Sequence, residues 1–136
     1  MDLSVRTDGP YAPENFSWLG SRHGVESTDT ITLVTDLFSG KPFYTDGYIP
    51  SGVAIAQITA NGATQGMYGP YDNAASDGRQ TMSGHLMTTK SLKGGADYIG
   101  AALLSHGKVR LSKLPTGHGV DTAGQTDVAG RIIYIA

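Results

Sequence analysis

Val53-Ala54-Ile55-Ala56-Gln57-Ile58-Thr59 is the stretch whose reading decides the fold class. In an extended chain Val53 and Ile55 share one face, and Ala54, Ala56 and Ile58 the other. A strand that is apolar on both faces belongs inside a body and not on its rim. Turn formers bound it on each side, Ile49-Pro50-Ser51-Gly52 before it and Asn61-Gly62 after it. It reads as the central strand of a small β-domain.

Toward the amino terminus, Thr30-Ile31-Thr32-Leu33-Val34 alternates cleanly and predicts a strand with Ile31 and Leu33 on one side. Residues 36–46 read as a loop or irregular hairpin ending at the Asp46-Gly47 turn, with Phe43, Tyr44 and Tyr48 placed to pack on the body. Beyond the central strand, residues 61–80 are polar and Gly-rich, and Met67-Tyr68-Gly69-Pro70-Tyr71 predicts one short extended piece within them. Thr81 to Thr89 predicts a strand, and Gly84 inside it signals a bulge or the close approach of another backbone.

Asp97 to Leu104 fits either a short helix or a strand by periodicity. The strict alternation of Lys108-Val109-Arg110-Leu111-Ser112, just after Ser105-His106-Gly107, decides for a β-hairpin. Residues 116–125 are expected to hold at most one or two helical turns, capped by Asp121 or Thr122. Arg131-Ile132-Ile133-Tyr134-Ile135 then predicts a last strand, apolar on both faces, that must be held in a sheet.

Composition agrees with a mainly β (α+β) domain. The chain has 136 residues, 39% hydrophobic and 16% charged, with 19 Gly and 6 Pro, which suits short strands joined by many turns. A net charge of −2 argues against general nucleic-acid binding, which needs a concentrated basic face. With no Cys, disulfides, thiolate metal sites and thiol catalysis are excluded. Met1-Asp2-Leu3-Ser4-Val5-Arg6 carries no secretory pattern, and no apolar run approaches the roughly 20 residues of a membrane span, so a soluble intracellular product is expected. On this ground the Asn15-Phe16-Ser17 sequon is read as chance.

Residues 1 to about 29 look different. Gly9-Pro10, Pro13, Gly20 and Gly24 break any periodicity, yet Tyr11, Phe16, Trp18 and Leu19 are large apolar groups. Such a segment is either a coil packed back on its own domain or an arm that orders on a partner, with the aromatics as anchors; the second reading is preferred.

No reactive constellation emerges. His23, His85, His106 and His118 show no i, i+4 metal-binding pair, and the aspartates mostly adjoin Gly or turns, where they cap backbone. There is no nucleophile elbow and no phosphate-binding Gly-Lys-Ser/Thr loop. Lys108, Arg110 and Lys113 form a small basic strip, read as a solvated outer face. No catalytic, cofactor or metal residue is nominated, and no enzyme is expected.

The order of motifs resembles the head decoration proteins of phage lambda and its relatives. The motifs are Ile49-Pro50-Ser51-Gly52-Val53 leading into a strand, Asp77-Gly78, the turn at His106-Gly107, Leu114-Pro115, a short Asp/Thr segment, and Ala129-Gly130-Arg131-Ile132-Ile133-Tyr134-Ile135. Asp2 to Thr7 and Tyr11 to Ser21 resemble the arms of members with larger amino-terminal extensions. The resemblance implies a compact β-tadpole-like domain with a short helical segment and a flexible arm, which binds as a homotrimer at three-fold positions of an expanded shell. The arm would add a strand to the major capsid protein. Applied here, it divides the chain into an arm at 1–35 and a body at 36–136, and places capsid contact at Phe16, Trp18, Leu19, Ile31 and Leu33. The implied location is the outer surface of the virion, after assembly in the host cytoplasm, with no nucleic acid or membrane as partner. The longer loop at 61–80 and the extra strand at 30–34 depart from the lambda pattern. Another virion β-module, such as a tail or a receptor- or glycan-binding domain, is the alternative.

Overall fold

The computed structural model describes residues 14–42, 44 and 47–136. The described residues form β1 (Asp29–Val34), β2 (Tyr48–Ile49), β3 (Ala54–Gln57), β4 (Tyr68–Pro70), β5 (Met82–Leu86), β6 (Lys90–Ser91), β7 (Tyr98–Leu104), β8 (Gly107–Arg110), α1 (Thr122–Asp127) and β9 (Ile132–Ile135). The architecture is mainly β, with one short helix and isolated 3₁₀ turns.

β3 is central, as its two apolar faces require. It runs antiparallel between β4 and β5, β7 follows beyond β5, and β1 pairs antiparallel with β7 from Asp29↔Leu103 to Val34↔Tyr98. One parallel contact, Leu33 with Tyr68 of β4, closes these five strands into a barrel. Closure leaves none of the five with an open edge at that seam.

The two faces of β3 feed two cores. Ile55 joins Ile31, Leu33, Leu86, Ala101 and Leu103 of the barrel strands, together with Phe38 and Ile49 of β2, in one buried cluster. Ala54 and Ala56 join a second cluster with Trp18, Met82, Leu104, Val109, Val128 and Ile132. A register shift lets β5 serve both. Ile55 faces Gly84 but Ala56 faces Met82, so Ser83 is an extra residue that turns Met82 to the second face. Gly84 is needed at this point, because a Cβ there would collide with the carbonyl oxygen of Leu104. The bulge and close approach expected from Gly84 are both present.

The strands expected at 30–34, 67–71, 81–89, 97–104 and 131–135 are all found, each within a few residues of its expected bounds. α1 begins where Asp121 accepts the Gly124 N–H at 2.7 Å, an N-cap bond. The expected hairpin of β7 with β8 is not. β7 is committed on both edges, to β1 and β5, whereas β8 pairs in parallel with β9 in a separate two-stranded ribbon. The reason is burial. Leu103 and Leu104 of β7 point to opposite faces and enter the two different cores, so β7 belongs in the sheet between them, while β8 buries only Gly107 and Val109 and lies over the second core.

Candidate interaction surface

Trp18-Leu19-Gly20 lies alongside β8 on the side away from β9. Leu19 bridges antiparallel to Val109, the Gly20 N–H donates to the Lys108 carbonyl at 2.8 Å, and the Arg110 N–H donates to the Trp18 carbonyl at 2.7 Å. The strip from 18 to 20, β8 and β9 together form a cover over the second core. Trp18 is fully buried beneath it. Its indole N–H donates to Ser51 Oγ at 3.0 Å, and that hydroxyl donates onward to the Met87 carbonyl at 2.7 Å.

His85 sits under the same cover, with no exposed surface and its ring centroid 5.5 Å from that of Trp18. Nδ1 lies 2.7 Å from the Gly52 carbonyl, and Nε2 lies 2.7 Å from the Tyr134 hydroxyl. A carbonyl can only accept, so Nδ1 carries the proton and Nε2 accepts from Tyr134. Burial lowers the imidazole pKa to about 4, against a smaller opposing effect of the Gly52 hydrogen bond. Burial also raises the Tyr134 phenol above its ordinary value. His85 is therefore a neutral core group with both nitrogens satisfied.

This arrangement corrects the arm expected at 1–35. Trp18, Ile31 and Leu33 are core residues, exposed by 0%, 5% and 0%, and β1 supplies the longest pairing of the barrel. Residues 14–35 belong to the body, and the boundary at 35/36 has no counterpart in it. The physical reason is that Trp18 and the alternating face of β1 cover apolar surface which the remaining strands cannot cover themselves. Leu19 is half-buried, and Phe16, 39% exposed, is the one nominated contact residue with an open side chain. Residues 1–13, which hold the rest of the expected arm, and Phe43 lie outside the described residues.

Several other polar groups are likewise engaged in structure. Asp121 accepts from the Tyr71 hydroxyl at 2.8 Å as well as capping α1, and Asp127 accepts from the Met82 N–H at 2.9 Å. Burial pushes the Asp77 carboxyl up, but its hydrogen bonds with Arg79 and that guanidinium's charge outweigh this and leave its pKa lowered. His118 Nδ1 accepts from the Val120 N–H at 2.9 Å, and partial burial lowers its pKa. His23 and His106 come together at the surface, ring centroids 6.4 Å apart and edge to face. Among the described residues no three His, Asp or Glu side chains converge as a metal site.

What stands open is the outer face of the cover. Lys108 pairs with Ile133 and Arg110 with Ile135, and all four side chains are exposed, Ile133 by 57% and Ile135 by 37%. Gly20 keeps this face shallow, since a Cβ there would come within 2.9 Å of Lys108 Cβ and 3.2 Å of Ile135 Cδ1. Sequence reasoning took β9 as apolar on both faces and held in a sheet, and it does pair with β8. Only the Ile132 and Tyr134 face meets the core, and the alternation of Lys108 and Arg110 in the paired strand was the one signal that the opposite face is outward. No family model, curated protein or solved structure matches this chain.

Proposed function

We propose that the chain is a structural decoration protein of a phage head, without catalysis or cofactor, which binds the expanded shell from outside as a homotrimer at three-fold positions. The observation that carries the reading is the succession of motifs from Ile49 to Ile135 that resembles the lambda family. In this chain those motifs fall on the strands and connections from β2 to β9 of one small body. The engagement of His85, His118, Asp77, Asp121 and Asp127 in structural hydrogen bonds supports a role in holding shape and not in chemistry.

Binding only the expanded shell favours that state by linkage, and three copies acting together multiply the effect through avidity. The test is co-sedimentation with expanded, undecorated heads, using the full chain and a chain starting at Glu14. A cut near residue 36 would remove Trp18 and β1 from the core and so would report unfolding. Saturable binding by the full chain, weakened when 1–13 are absent, is expected if those residues make the contact. Absence of binding by the full chain would overturn the reading in favour of a tail or glycan-binding module.

A further inference from the structure

We propose that the outer edge of β9 is a strand-accepting site for an extended, acidic segment of another polypeptide, with apolar residues at alternate positions. The inference does not depend on the decoration reading, because it rests on the backbone and surface of the cover alone.

The phase of the β8–β9 ladder identifies the open groups. In a parallel pair a residue whose N–H and C=O face its neighbour bonds to the residues before and after its partner. The Gly107 N–H donates to the Arg131 carbonyl at 3.0 Å, which directs residues 131, 133 and 135 toward β8. Residues 132 and 134 point the other way. The Ile132 N–H is taken by the Val128 carbonyl at 3.0 Å, but the Tyr134 N–H and the carbonyls of Ile132 and Tyr134 have no backbone partner among the described residues.

Exposed strand edges are ordinarily blunted by charge, proline or a bulge. β9 reads Ile-Ile-Tyr-Ile and has none of these. Ile133 and Ile135 stand beside the edge on one face, spaced as an added strand would cover them with its own alternate residues.

The electrostatics select the partner. Lys108 and Arg110 are the charged side chains of the 18–20 strip, β8 and β9, and none of the chain's twelve acidic side chains lies in those three segments. No ion pair involves them among the described residues. The rest of a chain with net charge −2 is therefore net acidic, so the cover presents a positive face on a negative body. An acidic segment is drawn to it and a basic one is repelled.

The probe is a blocked peptide with Val and Thr alternating at its centre and two Asp at each end, titrated into the ¹⁵N-labelled full chain. Expected are saturable shifts at Ile133, Tyr134 and Ile135, and slowing of Tyr134 amide exchange by about tenfold or more. A Lys-ended version should bind at least about tenfold more weakly, and so should the Asp peptide to Ile133→Lys or to Lys108→Glu with Arg110→Glu. These three residues are exposed, so the variants keep the fold, which the unchanged spectrum of the barrel would verify. No shifts at millimolar peptide, equal binding of both peptides, or a Tyr134 amide already protected in the free full chain would each overturn the proposal. The last outcome would mean that the chain's own residues or a second copy cover the edge.

Discussion

Acidification should destabilise this protein through His85, and the size of the effect follows from the site. The unfolded chain takes up the proton first, because an exposed imidazole titrates near 6.5 whereas folded His85 titrates at about 4. Stability from this group is complete above pH 6.5 and is lost progressively as pH falls toward 4. Between pH 7 and pH 4.5 the loss is about 2 kcal/mol. Carboxylates and His118 also titrate as the solution is acidified, so the informative quantity is a difference between proteins. His85→Asn keeps an amide nitrogen able to donate to the Gly52 carbonyl but has no group titrating in this range. The variant will be less stable at pH 7, having lost ring contacts with Trp18 and the acceptor for Tyr134. That deficit should shrink by about 2 kcal/mol at pH 4.5, because only the wild type suffers the protonation cost. Urea unfolding followed by the fluorescence of the single Trp, buried beside His85, measures both proteins. Parallel stability curves against pH would refute the assignment of His85 as a buried neutral imidazole.

Two further outcomes test the packing. Trp18→Ala should cost about 3–5 kcal/mol in urea unfolding, as expected for emptying a large buried aromatic site, whereas Phe16→Ala should stay within about 0.5 kcal/mol. Equal effects would mean that residues 14–20 are not part of the body. Gly84→Ala should cost more than about 2 kcal/mol, since the new methyl group must displace the Leu104 backbone where β5 meets β7, and amide exchange at Leu103 and Leu104 should speed up.

Strand positions were legible because burial on a pleated strand imprints a period of two. The alternation of β1, the doubly apolar run of β3 and the Gly84 interruption each translated into the element expected. The helix cap was readable to within one residue, as Asp121 or Thr122, because an N-cap depends only on residues three apart, and Asp121 is the one that caps. The candidate surface was hardly legible. Whether Trp18 anchors a partner or a core depends on what lies over it, and its contacts with Ser51, His85 and β8 come from 33 or more residues away. No local pattern in residues 14–20 encodes that. The β7–β8 pairing failed for a related reason. Adjacency and a turn favour a hairpin, but β1 and β5, distant in the chain, take the two edges of β7.

By itself, then, the sequence determined a Cys-free, turn-rich β-domain, its strand positions and the short helix after residue 121, since these follow from side-chain periodicity and backbone preference. The tertiary structure alone decided that the strands close into a barrel with a separate ribbon laid over it. It also decided that Trp18, Ile31 and Leu33 face inward while Ile133 and Ile135 face outward. Those outcomes turn on which distant surfaces compete successfully for the same apolar face, and that competition is settled only when the whole chain packs at once.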